Sequence, residues 1–210
     1  MANQTTGERA TIGVMAPPDP ALRPRASIGE YLAAERVAAE KHEYWGGEVF
    51  AMAGASFVHN TIVANLVREL GVRLLDKPCA PLPSDMKVFV PSKPGFVYPD
   101  VSVYCSEPAF HDGEQDVLVN PTLIVEVLSN STERFDRGDK LIGYRSVASI
   151  EQVVLVSQHE RRVEVFTRDG DRWILQDTTE GGVARLGSID CELPLAGVYH
   201  GVAGASVAGG

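Results

Sequence analysis

The 210-residue chain contains no apolar run long enough to cross a bilayer as a helix, so a membrane-spanning helix is not expected. It also lacks an excess of basic residues. Nineteen Lys and Arg against 28 Asp and Glu leave a net charge of −9, which argues against a broad basic face for sequence-independent nucleic-acid binding. Cysteine is scarce and odd in number: Cys79, Cys105 and Cys191 lie far apart and form no CxxC pair. Neither a disulfide framework nor a zinc site is suggested, and buried or reduced thiols are expected. The start, Met1 to Glu8, has no basic stretch followed by an apolar block, so a cytoplasmic protein is expected. What is present, 44% hydrophobic and 22% charged residues, suits one globular domain with a real core.

Proline and the absence of periodicity mark residues 1–25 as a flexible arm, and residues 200–210 lack core-forming side chains, leaving a single domain over 26–199. Ser27 and Glu30 form a capping box ahead of a helix over roughly 27–40. Gly46-Gly47 sits between two strand-prone arms and predicts a hairpin. His59, Ile62, Val63, Leu66, Val67, Leu70 and Leu74 follow the spacing of a long amphipathic helix that stops near Pro78. Strands are predicted at 84–90, 97–104, 122–128, 152–157, 162–167 and 172–176, with a helix at 135–147 and a hairpin turn at Asp169-Gly170. The fold class is α+β, a central mixed sheet flanked by helices with additional C-terminal hairpin strands.

Two acids interrupt apolar strand-like runs: Asp100 within Phe96 to Tyr104, and Glu126 within Leu123 to Ser129. Burying an unpaired carboxylate is costly, so each requires a partner. A divalent cation shared by both is one solution, because hard cations take carboxylate oxygens and activate water against phosphate. An ion pair with Lys or Arg, or a place at a strand end in water, is the other. Asp136, Lys140 and Tyr144 are spaced four apart on the next helix and share a face, which lets Lys140 lean toward Glu126 or pair with Asp136 at the surface.

The order acid, acid, lysine resembles the PD-(D/E)xK nuclease core, carried by Pro99-Asp100 and Glu126-Val127-Leu128, except that Leu128 stands where that pattern has its lysine. A fuller resemblance is to the Uma-two family of restriction-endonuclease-like proteins. It is carried by Tyr44-Trp45-Gly46-Gly47-Glu48, His59, Pro83-Ser84-Asp85, Tyr98-Pro99-Asp100, Glu126-Val127-Leu128-Ser129, and the run Ser131 to Leu141 with Tyr144-Arg145. The resemblance implies a restriction-endonuclease-like core and places the displaced lysine at Lys140. It also implies a site in which Asp100, Glu126 and the carbonyl of Val127 hold Mg²⁺ or Mn²⁺ while Lys140 orients water or offsets charge.

Asp85 is either an outer acid of that site or a strand-start residue bonded to nearby backbone. Glu48 is either a joining acid or a hairpin surface charge, and His59 either a base or a capping and packing residue at its helix start. Arg134 and Arg137 are phosphate contacts or part of a solvated helix start, and the acidic loop 111–116 is a gate or an exposed connector. The function expected is metal-dependent hydrolysis of DNA phosphodiesters, with a possible homodimer and no membrane partner. The alternative is a catalytically silent nuclease-fold interaction or regulatory module linked to mobile elements.

Overall fold

The computed structural model describes residues 24–52 and 54–202. The expected arm at 1–25 and tail at 200–210 fall almost wholly outside them. The described parts are seated: the Val49 N–H donates to the Pro24 carbonyl at 3.0 Å, and Val202 is buried in the core.

Helix α1 (Ile28–Glu35) opens on the expected reciprocal cap between Ser27 and Glu30. It ends earlier than the spacing suggested. The carboxylate of Glu35 turns back to accept the His42 N–H at 2.8 Å and meets His42 Nδ1 at 3.1 Å, so the chain leaves the helix toward strand β1. Strands β1 (His42–Trp45) and β2 (Glu48–Ala51) form the expected hairpin. Gly46 and Gly47 supply the positive φ values, 58° and 95°, that its tight turn demands. Helix α2 (Phe57–Arg73) buries Ile62, Leu66 and Leu70 along one stripe and is capped by Ser56.

Six strands precede the next helix, β3 (Ala80–Pro83), β4 (Lys87–Val90), β5 (Gly95–Val97), β6 (Val101–Tyr104), β7 (Val117–Leu118) and β8 (Leu123–Leu128), and β9 (Gln152–Ser157) follows it. The stretch expected as one strand over 97–104 is two strands in two sheets. β5 belongs to a five-stranded sheet of order β2-β1-β5-β4-β7, and β6 to a six-stranded sheet that, with β10 (Arg162–Asp169) and β11 (Arg172–Thr179), has the order β11-β10-β9-β8-β6-β3. Tyr98-Pro99-Asp100 is the crossing between them. Pro99 has no N–H to give to a ladder, and the chain changes sheets there. Strand β4 likewise starts at Lys87, not at Ser84, which leaves Asp85 in the preceding turn. Strand β3 carries Pro81 and Pro83 and lies at the edge of its sheet, where missing donors are tolerated.

Strands β10 (Arg162–Asp169) and β11 (Arg172–Thr179) extend the six-stranded sheet, and β12 (Val183–Leu186) pairs with β13 (Cys191–Pro194) before the short α5 (Leu195–Val198). Strand β8 is central and buried on both faces. Leu123, Val125 and Val127 pack with α2 and the β12–β13 pair, whereas Ile124 and Leu128 join the cluster containing Trp45, Val88, Leu141 and Tyr144. Leu128 is thus a core residue. The expectation of buried or reduced thiols without a disulfide is corrected for two of the three cysteines: Cys79, just before β3, and Cys105, just after its neighbour β6, form a disulfide, and Cys191 is free. Sequence separation hid the pair, because strand register alone sets the two residues opposite one another.

Candidate active site

Strands β6 and β8 run antiparallel with Val101 opposite Val125 and Ser102 opposite Ile124. One further step in that register sets Asp100 opposite Glu126. Asp100 is tied to the strand that carries Glu126, where the Val127 N–H donates to Asp100 Oδ2 at 2.7 Å. His59, in the first turn of α2, brings Nε2 to 3.3 Å from the same oxygen. Burial opposes a charge on this imidazole, but the Asp100 carboxylate and the Val127 carbonyl favour it, and its pKa is raised.

The helix after β8 is irregular. A single turn, α3 (Glu133–Phe135), passes through a π-helical turn (Asp136–Lys140) into α4 (Leu141–Arg145). Such one-turn bulges commonly re-aim side chains. Here the turn lies over β8, and Lys140 and Tyr144 both reach the second acid. Tyr144 donates its phenolic O–H to Glu126 Oε1 at 2.5 Å, and Lys140 Nζ donates to the same oxygen at 3.2 Å. The Lys140 ammonium also lies 2.9 Å from Glu43 Oε1 and 3.6 Å from Asp136 Oδ1. All four of these charged side chains are buried.

Three carboxylates around one ammonium set the electrostatics. Burial pushes Lys140 down, yet Glu126, Glu43 and Asp136 together hold its pKa well above the usual lysine value, so it is a cation. Burial raises the pKa of Glu126 well above the ordinary carboxyl value. Lys140 and the Tyr144 hydrogen bond counter that rise, while the charges of Asp136 and Asp100 add to it. Asp136 is raised too, chiefly by burial. The cluster is short of positive charge.

These groups line one wall of a cleft of about 1100 Å³ that also takes in Glu48, Lys41, Lys93 and the loop from Ser129 to Thr132. Among the described residues no three His, Cys, Asp or Glu side chains stand as a ready ligand set. The set implied by the sequence is different: two carboxylates and one main-chain carbonyl. Its chemistry fits a hard divalent cation. At Glu126 both protein donors converge on Oε1, and at Asp100 both converge on Oδ2. Among the described residues no hydrogen bond ends on the other oxygen of either acid.

The match to known families follows the same geometry. Residues 28–195 match the Uma2 family model, described as "Putative restriction endonuclease". The chain belongs to the Uma2 family. Two proteins of Synechocystis sp. (strain ATCC 27184 / PCC 6803 / Kazusa) are similar to it. "Uncharacterized protein sll1609" is 39% identical over 152 residues, covering 72% of this chain and 86% of that one. "Uncharacterized protein slr1290" is 33% identical over 182 residues, covering 86% and 94%. A crystal structure described as "a putative nuclease belonging to DUF820" from Anabaena variabilis ATCC 29413 superposes with a TM-score of 0.68 at 14% identity, covering 83% of this chain and 97% of that chain. That likeness supports the α+β, restriction-endonuclease-like fold.

In this Uma2 protein the structure brings together Asp100, Glu126, Val127, Lys140 and His59. It does not bring in Asp85, which is exposed in its turn and ion-paired with Lys41. Glu48 lines the cleft but stands on β2, 3.8 Å from Arg25. The hairpin acid that reaches Lys140 is Glu43, on the other arm. Sequence reasoning missed Glu43 because its neighbours Tyr44 and Trp45 drew attention to packing; its alternation with the buried Trp45 was the available signal. Arg137 pairs with Glu133 at 2.8 Å and with Glu164 at 2.5 Å. The acidic loop is tethered too: Arg36 holds Asp112 at 2.6 Å and Asp116 at 2.9 Å, and buried Lys87 meets Asp116 at 2.9 Å.

Proposed function

We propose that this protein is a metal-dependent DNA endonuclease that hydrolyses phosphodiester bonds at the cleft of Asp100 and Glu126. One observation carries the reading. The β6–β8 register sets the two acids opposite one another, a buried lysine bonds the second, and among the described residues each keeps one carboxylate oxygen clear of protein donors. Asp100, Glu126 and the Val127 carbonyl would hold Mg²⁺ or Mn²⁺. When bound, that cation supplies Lewis-acid charge, lowering the pKa of water and stabilising charge developing on the scissile phosphate.

The protein's own contribution is positional. Val127 N–H fixes the Asp100 carboxylate, and Tyr144 fixes that of Glu126. Lys140 places a permanent positive charge beside Glu126, where it offsets negative charge gathering at the phosphate. The acidic balance of the chain, −9 overall, makes the added cation part of substrate attraction as well as of chemistry. One site per chain cuts one strand, so cleavage of both strands asks for two copies, and a homodimer is part of the proposal. A cytoplasmic location is also part of it. The Cys79–Cys105 disulfide weighs against that location, since reducing compartments disfavour such bonds.

The test is nicking of supercoiled plasmid with Mg²⁺ or Mn²⁺ by the native protein and by Asp100→Asn and Glu126→Gln. Loss of cleavage in both variants, with the fold retained, is expected. Cleavage that survived in both would remove these acids from the site, and a native protein inert toward all nucleic acids would favour the silent module.

A further inference from the structure

Lys140 has more acceptors than a site lysine needs. Its ammonium is nearest Glu43, at 2.9 Å, and further from Glu126, at 3.2 Å. Glu43 is buried and held from a second direction, since its Oε1 also accepts the Tyr98 N–H at 3.0 Å. Tyr98 opens the crossing that delivers Asp100 to the site. Glu43 therefore ties the lysine to the backbone that carries the first acid.

A buried ammonium must keep carboxylate partners. With Glu43 neutralised, Lys140 would have, among the described residues, Glu126 and the more distant Asp136 to turn to, and it would bind Glu126 more closely. An ammonium and a divalent cation compete for the same carboxylate. We propose that Glu43 is a positioning residue that, as the nearest carboxylate to the Lys140 ammonium, draws it away from Glu126 and so keeps Glu126 open to the cation. This rests on the reading of Asp100 and Glu126 as cation ligands.

Mn²⁺ titration calorimetry on the native protein, Glu43→Gln, Lys140→Met and the double variant tests it without reference to cleavage. Gln retains an acceptor for Tyr98 N–H but not the charge. Glu43→Gln weakens Mn²⁺ binding roughly five-fold or more where Lys140 is present, and changes nothing in the Lys140→Met background, because the effect passes through the lysine. Glu43→Asp, which keeps the charge, recovers part of the lost affinity. Equal weakening in both backgrounds would overturn the proposal, and so would unchanged affinity in Glu43→Gln. Should Glu43→Gln or Lys140→Met fail to fold by circular dichroism, the same cycle is read with the neutral Glu43→Ala or with Lys140→Gln, and the same non-additivity decides. Native protein that bound no Mn²⁺, or bound it equally well as Asp100→Asn, would overturn the cation reading itself. Intact Asp100-dependent binding with an additive cycle overturns only the role of Glu43.

Discussion

The Asp100 carboxylate accepts the main-chain N–H of Val127 at 2.7 Å, so the first acid is bonded to the residue that follows the second. Their separation is set by a strand ladder and one charge-assisted hydrogen bond, not by two free side chains. The acids hold position before any ligand arrives.

That preorganisation has a stability cost, because Glu126 is buried among other acids. Glu126→Gln removes one charge while Lys140 keeps Glu43 and Asp136. The variant melts higher than the native protein in the absence of metal, by about 2–4 °C for each kcal/mol recovered. It also loses Mn²⁺ binding. Differential scanning fluorimetry with and without Mn²⁺ checks both parts, and a lower melting point in metal-free buffer would refute the first.

The raised carboxyls also set a pH dependence. A carboxyl whose pKa is higher folded than unfolded binds its proton more tightly when folded. Its stabilising contribution is complete below the ordinary carboxyl range and is lost as pH rises through the raised value. For Glu126 and Asp136, melting temperature therefore falls as pH rises above about the ordinary value of 4.5 for Glu. Mn²⁺ stabilises most at the upper end, where both are ionised. Melting curves across pH, with and without Mn²⁺, separate this from a uniform metal effect.

Asp116 has the opposite sign. Hydrogen bonding to Arg36 holds its pKa down to about 2 although burial raises it, and contact with Lys87 lowers it further. Its contribution is present above the ordinary aspartate value of 3.8 and is lost as pH falls toward 2. Arg36→Ala shifts the acid-unfolding midpoint upward and releases the loop at 111–116, which limited proteolysis detects.

Gly143 faces the Trp45 ring and Val90, and a Cβ there would run into both. Gly143→Ala destabilises by about 1–3 kcal/mol and pushes the helix carrying Lys140 off the sheet. Gly138 has open space around it, so Gly138→Ala is neutral or stabilising by up to about 1 kcal/mol. Urea melts of the pair distinguish a packing effect from a general intolerance of the helix.

The disulfide predicts one reactive thiol, Cys191, in denatured unreduced protein, and three after reduction. Its two cysteines are 26 residues apart, so its loss costs about 3 kcal/mol on chain-entropy grounds. Thiol titration and melting of Cys79→Ser read the two effects separately.

What the sequence disclosed was local. The Ser27–Glu30 cap, the Gly46-Gly47 turn and the stripe of α2 are written within a few residues, and each formed as its pattern required. β9 matches its predicted span for the same reason. The features that escaped depend on partners distant in the chain. Pro99 hands the chain from one sheet to another, a change that alternation of apolar residues cannot register. Glu43 meets Lys140 across 97 residues of chain, and Cys79 meets Cys105 only because β3 and β6 are neighbours. The resemblance to the family supplied the order of the acids and the lysine; which oxygen each donor uses is a property of the folded chain alone.

The π-helical turn between Asp136 and Lys140 means that the register of this helix depends on a count of residues as much as on their identities. Each residue of an α-helix turns its neighbours by about 100°. A one-residue deletion at Gly138 or Asp139 would leave a regular helix and every named acid, lysine and tyrosine in place in the sequence. Yet Asp136 would swing to another side of the axis if Lys140 and Tyr144 kept their grip on Glu126. Among relatives of this chain, an alignment gap of one at that point would mark a different site more surely than many substitutions.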